Sequence, residues 1–203
     1  MSLFVKICGL KSSEAVAAAV AAGADALGFV FADSPRQITP AAAAQLVANV
    51  PRSILRVAVT KHPSRAACDA IFAEFEPDYL QTDVADLKTI VLPRTCSALP
   101  VYREGQAAEI HSGQRLLFEG KHSGSGKTAD WSEARNLAKR CELILAGGLN
   151  ADNVADAIRQ VRPWGVDVSS GVELRRGHKD PRKIVEFIAR VRAQELERDQ
   201  YGS

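Results

Sequence analysis

Cys8 is followed at once by Gly9, so its thiol has open space beside it and can act as a proton acceptor if its pKa falls. An unperturbed cysteine, with a pKa of about 8.5, is only a few per cent ionised at neutral pH, and an isolated one is more often a small buried hydrophobe. Arg36 ends Asp33-Ser34-Pro35-Arg36, where Pro35 limits the loop and the guanidinium offers a planar fork suited to a carboxylate. A solvated loop cation is the plainer alternative. Asp130 closes the glycine-rich stretch Ser123-Gly124-Ser125-Gly126-Lys127-Thr128-Ala129-Asp130-Trp131 and reads either as a helix N-cap or as a general acid or base facing a pocket. Gly147-Gly148 and Ser169-Ser170-Gly171 expose backbone N–H groups, and a helical turn at Val172–Leu174 aims its positive end inward, which together predict an anion cup for a phosphate. Asp167 is equally a substrate-binding group and an internal polar residue. Lys6 lies inside an apolar run, so it needs a partner such as Asp167 if it points inward, and snorkels if it points outward.

The elements that must position these residues recur with one rhythm. Runs rich in valine, leucine and isoleucine return about every 25 residues with helical periodicity between them, the pattern of parallel βα units. Strands are expected at Phe4–Cys8, Ala26–Phe31, Leu55–Val59, Tyr79–Gln81, Pro100–Tyr102, Arg115–Phe118, Leu143–Ala146 and Gly165–Val168. Helices are expected at Ser13–Ala22, Pro40–Asn49, Ser64–Phe75, Ala85–Val91, Trp131–Ala138, Ala151–Gln160 and Pro181–Glu195, with a short or irregular one at Glu104–His111. Ser12 stands where it can cap the N–H of Ala15, Thr39 precedes Pro40, and Asp180 precedes Pro181, all N-terminal signals. Eight such units with right-handed crossovers can close on themselves and remove the unpaired edges of an open sheet. The expectation is an α/β fold, a single (β/α)8 barrel with eight parallel strands spanning residues 1–203, with a frayed tail from Gln194. An open doubly wound sheet is the alternative. In a barrel the chemistry gathers where strands end, and every candidate above lies there.

Composition narrows the function classes. The chain of 203 residues is 46% hydrophobic and 25% charged with a formal net charge of +2, enough for a core and without the clustered basic surface of a nucleic-acid binder. No apolar run approaches the ~20 residues of a membrane helix, and Lys6 interrupts the one short apolar segment near the start, so a cytoplasmic location is expected. Cys8, Cys68, Cys96 and Cys141 are scattered without zinc-ligand spacing, so neither disulfides nor a metal is expected. His62, His111, His122 and His178 fall in loops. Gly126-Lys127-Thr128 mimics the end of a nucleotide-binding loop, but Lys121 stands where its first glycine belongs, and the strand at Leu143–Ala146 ends without a magnesium-binding aspartate.

Read in order, the motifs resemble the phosphoribosylanthranilate isomerase family. They are Val5-Lys6-Ile7-Cys8-Gly9-Leu10; Gly28-Phe29-Val30-Phe31 leading to Ser34-Pro35-Arg36; Gly124 to Trp131; Leu145-Ala146-Gly147-Gly148-Leu149-Asn150 with Asn153-Val154; Gly165 to Glu173; and Gly177-His178-Lys179-Asp180. The resemblance spans almost the whole chain. It departs in the middle: the fourth strand usually ends in Gln-Leu-His-Gly but here reads Gln81-Thr82-Asp83-Val84, and the sixth usually ends in aspartate but here reads Phe118-Glu119-Gly120.

The resemblance implies a small-molecule substrate, N-(5-phosphoribosyl)anthranilate, and its Amadori rearrangement to the ring-opened 1-deoxyribulose phosphate in tryptophan biosynthesis, with no cofactor. It implies a monomer or a homodimer. In that reading Asp130 is the general acid and Cys8 the general base, Arg36 and Asp167 bind substrate, and Gly147, Gly148, Ser169, Ser170 and Gly171 hold the phosphate. A related histidine-pathway isomerase is expected to use two aspartates, which disfavours it. A phosphate-ligand binding protein without turnover is the reading from another class.

Overall fold

The computed structural model describes residues 2–106, 111, 113–121 and 129–201. Strands β1 (Phe4–Cys8), β2 (Ala26–Val30), β3 (Leu55–Val59), β4 (Tyr79–Asp83), β5 (Ser97–Arg103), β6 (Arg115–Glu119), β7 (Glu142–Leu145) and β8 (Gly165–Val168) pair in parallel in chain order, and β8 returns to β1 to close a barrel. Around it run α1 (Ser13–Ala21), α2 (Pro40–Val47), α3 (Arg65–Glu74), α4 (Trp131–Ala138), α5 (Val154–Val161) and α6 (Pro181–Tyr201). After β8 the chain makes a 3₁₀ turn at Ser170–Val172 and a small hairpin of β9 (Glu173–Arg175) and β10 (His178–Lys179) before α6.

The helices start where short polar side chains satisfy N–H groups that have no partner in the first turn. Ser12 accepts from Ala15 N at 3.3 Å, Thr39 from Ala42 N at 3.2 Å and Ser64 from Ala67 N at 3.2 Å, each cap worth about 1 kcal/mol. Strand side chains alternate between two compartments. Ala26, Val57, Leu99, Leu117 and Ile144 fill the barrel, while Ile7, Leu27, Phe29, Leu80 and Phe118 face the helices in a larger buried cluster. The inward side of the strands therefore carries Lys6 and Cys8 on β1, Asp83 on β4, Arg103 on β5, Glu119 on β6 and Asp167 on β8. At the opposite, N-terminal end aromatic and charged side chains pack together. Phe4 stacks on Trp164 at 4.7 Å between ring centres, and the Arg115 guanidinium lies 3.9 Å over the Trp164 ring while bonding Glu142 and the Tyr79 hydroxyl.

Several boundaries differ from the sequence expectation, for identifiable reasons. The helix expected at Ala85–Val91 is only a 3₁₀ turn, Asp86–Lys88, because the Asp86 carboxylate is turned back onto Thr82 and His62. α5 begins at Val154 rather than Ala151, since the Asn150 side chain accepts from Asp152 N and Asn153 N and holds those residues in a turn. The tail does not start to fray at Gln194: Gln194 is buried and bonds Arg159, while Glu195 accepts the Leu3 N–H at 2.5 Å, so α6 is stitched to the start of β1. Residues 104–106 form a turn, whereas 107–110 of the expected irregular helix, together with His122 and the stretch Ser123–Thr128, lie outside the described residues. Among the described residues no helix is long and apolar enough to cross a membrane.

Candidate active site

The end of the barrel where the strands finish collects the candidate residues, in two groups. The first surrounds β1, β2 and β8. Lys6, fully buried inside the barrel, pairs with Asp167 at 2.7 Å. Burial alone would lower the lysine's pKa, but Asp167 and the Cys8 thiol outweigh it and leave it raised. Asp167 is therefore first the counter-charge of Lys6. Cys8, at the end of β1, is buried too. Burial pushes its thiol up, against the pull of Lys6 and, more weakly, of Lys179. The sequence asks for a lowered pKa in a base, and in this state the thiol keeps its proton.

Arg36 is not a solvated loop cation. Its Nε and Nη2 bond the two oxygens of Glu173 at 2.7 and 3.1 Å, a fork that fixes the guanidinium plane and leaves Nη1 with no partner among the described residues. Glu173 also receives Lys179 at 2.9 Å, and although burial would raise its carboxyl, these two cations hold it below the usual range. The same Lys179 donates to Ser169 O at 2.9 Å and Oγ at 3.2 Å, tying the pair to the β8 loop. These parts converge on Gly9, whose φ of +77° suits glycine: a Cβ there would lie 2.7 Å from Arg36 Cδ and 3.2 Å from Ser169 Oγ. The thiol's neighbour, the carboxylate fork and the β8 loop thus touch at one point.

The loops after β7 and β8, where an anion cup is expected, lie against each other. Gly147 and Gly148 both have positive φ, +88° and +67°. Asn153 locks the turn by donating to Gly148 O at 2.9 Å and accepting from Asn150 N. Gly171 admits no side chain, because a Cβ would stand 1.9 Å from Leu149 O, so the Ser169-Ser170-Gly171 backbone lies against the β7 loop.

The second group lies across β4, β5 and β6. Arg103 bonds Asp83 through Nη1 at 2.5 Å and Glu119 through Nη2 at 3.1 Å. Behind Asp83, His62 directs Nδ1 to Asp86 at 2.8 Å. His62, Asp83 and Asp86 are the one trio of possible metal ligands gathered among the described residues, yet Asp86 is committed to Thr82 and His62 and Asp83 to Arg103, contacts a cation would have to break. The buried Gln81, two residues below Asp83, has a side-chain Oε1 with no hydrogen-bond partner.

Asp130 is at the same end of the barrel but outside the strands. It caps α4, accepting the N–H of Ser132 at 2.8 Å and of Glu133 at 3.3 Å together with the Ser132 hydroxyl at 2.6 Å. These bonds, led by the hydroxyl, lower the pKa of an exposed carboxylate, the opposite of what a proton donor needs. Sequence reading passed over Glu119 and Asp83 because it ended their strands at Phe118 and Gln81. Continuing the period-two alternation from Leu117 and from Tyr79 turns both inward.

Comparison with known proteins agrees with this architecture. The family model for N-(5'-phosphoribosyl)anthranilate (PRA) isomerase matches residues 5–190. An N-(5'-phosphoribosyl)anthranilate isomerase of Streptococcus pneumoniae is 41% identical over 192 residues, covering 93% of this chain and 95% of that one. The crystal structure of phosphoribosyl anthranilate isomerase from Thermus thermophilus superposes with a TM-score of 0.82 at 28% identity, covering 94% of this chain and 99% of that one. A phosphoribosyl anthranilate isomerase in complex with reduced 1-(o-carboxyphenylamino)-1-deoxyribulose 5-phosphate gives 0.77 at 28% identity over the same shares. The chain belongs to the phosphoribosylanthranilate isomerase family.

Proposed function

We propose that this chain isomerises N-(5-phosphoribosyl)anthranilate to 1-(2-carboxyphenylamino)-1-deoxyribulose 5-phosphate in tryptophan biosynthesis, as a cytoplasmic enzyme without a cofactor. The observation that carries the reading is the convergence at Gly9 of Cys8, the forked Arg36 and the β8 loop. The relative in complex with the reduced product-like phosphate makes the ligand class concrete. In this reading the phosphate lies on the N–H groups of Gly147, Gly148, Ser169, Ser170 and Gly171. The anthranilate carboxylate takes the remaining donors of Arg36.

The chemistry needs two proton movements. A proton delivered to the furanose oxygen breaks the C1–O bond and leaves a protonated Schiff base; a base then removes the C2 proton, the C2–H electrons form a C1=C2 bond, and the C1=N electrons return to nitrogen, giving an enaminol. Protonation at C1 with loss of the enol proton gives the ketone. Cys8 is the base in this scheme. Its thiol is held neutral by burial until the cationic Schiff base arrives, and that charge favours the thiolate. Asp167, fixed by Lys6, is a hydrogen-bond acceptor for a substrate hydroxyl or amine.

For the acid, the reading keeps Asp130, at the start of α4. Its carboxylate accepts the cap bonds of Ser132 and Glu133, so in this scheme the bound substrate draws it off them and takes its proton. The test follows the fluorescence of phosphoribosylanthranilate as it is consumed. The parent turns over, and Asp130→Asn, which keeps a side chain able to cap, loses about 10²- to 10⁴-fold in kcat with the fold intact. No consumption by the parent refutes the function; near-normal turnover in Asp130→Asn takes the acid role away from Asp130.

A further inference from the structure

Lys179 is a buried cation that the chemistry above does not use. It sits on β10 with its side chain only 2% exposed, and its Nζ meets three acceptors: Glu173 Oε1 at 2.9 Å, Ser169 O at 2.9 Å and Ser169 Oγ at 3.2 Å. An ammonium has three N–H bonds and no lone pair, so all three are taken and none is left for a substrate. Burial draws its pKa down, while Glu173 and then the Cys8 thiol pull it back up.

The partners of Lys179 belong to two different parts of the site. Glu173 forks Arg36, and Ser169 opens the loop after β8. The hairpin that carries the lysine is itself seated on the Arg36 loop. Gly177, with a φ of +81°, faces Pro35 O so closely that a Cβ would stand 2.5 Å from it. Ser169 O also receives the N–H of Val172 at 3.4 Å, so Lys179 is the nearer of its two donors. In a trans peptide the carbonyl oxygen and the following N–H project to opposite sides, and no peptide bond here is cis. Holding Ser169 O therefore turns the Ser170 N–H away from the lysine. That N–H, at the start of the 3₁₀ turn, takes no bond among the described residues.

We propose that Lys179 is a positioning residue that fixes the Ser169–Ser170 peptide so that the Ser170 N–H is presented to the substrate's phosphate, and that through Glu173 it ties this loop to Arg36. The proposal deepens the isomerase reading above and rests on its placement of the phosphate. A lysine acting by charge alone would favour every amide contact of the anion alike. One that acts by holding a peptide plane affects one amide selectively.

The probe is inorganic phosphate, followed by ¹H–¹⁵N NMR of the full chain and by inhibition of turnover. In the parent, saturating phosphate should move the amide resonances of Gly147, Gly148 and Ser170. Lys179→Met leaves Glu173 paired with Arg36, and in it the Ser170 endpoint shift should be lost while those of Gly147 and Gly148 persist. Phosphate inhibition should weaken and KM should rise on the order of tenfold, the worth of a charge-assisted hydrogen bond, with kcat falling less. Equal endpoint shifts in parent and variant, or a parallel loss at all three amides, overturn the positioning role. If Lys179→Met does not fold, the ¹⁵Nζ group of Lys179 in the parent decides. Three bonds should slow the exchange of its protons and give a hydrogen-bond coupling to the Ser169 carbonyl carbon, and a rapidly exchanging ammonium without that coupling sinks the idea. Phosphate that moves none of the three amides in the parent removes the phosphate placement, and the proposal falls with it. In the earlier failures that placement survives, so the two are distinct.

Discussion

The two sides of the barrel mouth solve the problem of charged groups in a protein interior differently. Around β1, β2 and β8 five charged side chains are buried and closely paired: Lys6 with Asp167, and Arg36 and Lys179 with Glu173. Across β4, β5 and β6 one arginine is shared between two partly exposed carboxylates. Fully buried pairs tolerate no loss of a partner, because the survivor is left uncompensated at a cost of about 3 to 5 kcal/mol. A shared, partly hydrated cation tolerates exchange, and this is where the chain has changed its residues. The comparison teaches that one side is held by close pairing, while on the other a single cation is divided between two carboxylates.

The sharpest break of that picture is at Cys8. Cys8→Ala should cost about 10²- to 10⁴-fold in kcat, with the circular dichroism spectrum unchanged, since only a small buried thiol is removed. Turnover close to the parent's would take the base away from the buried side altogether. Next comes Arg36→Met, expected to raise KM by about 10- to 100-fold, the worth of charge-assisted hydrogen bonds, with kcat less affected. An unchanged KM would mean that the carboxylate is held elsewhere and that the Glu173 fork is purely structural.

The smallest effect is on stability and tests the pairing directly. The folded pKa of Glu173 is depressed, so its contribution is present above the ordinary carboxylate range and disappears as pH falls through the depressed value. Glu173→Gln should therefore be less stable by about 3 kcal/mol at neutral pH in urea unfolding. The gap should shrink below about pH 4. A gap that does not change with pH would show that Glu173 acts through packing and not through its charge.

Much of this was legible in the residues. The strand runs, the caps at Ser12 and Thr39, the turns at Gly147-Gly148 and Ser169-Ser170-Gly171, and the pairing of Lys6 with Asp167 follow from local pattern and from the cost of an unpaired buried cation. What stayed hidden depended on strand ends and on contacts distant in the chain. Pro100 suggested the start of a strand that in fact begins at Ser97, and stopping β4 and β6 early left Asp83 and Glu119 out of the interior. Nothing local announces that Glu173 would claim Arg36 across 137 positions of chain. Asp130 satisfied two patterns at once, and its bonds to Ser132 show the helix-start pattern in place.

The Arg115–Trp164 stack at the opposite end has a consequence for how damage is felt. An aromatic pair and a guanidinium occupy the foot of the barrel, and Val57, Leu99, Leu117 and Ile144 fill the space above them, so the cylinder is a solid plinth and not a conduit. Substitutions at the foot register as lost stability, and those at the rim register in the chemistry.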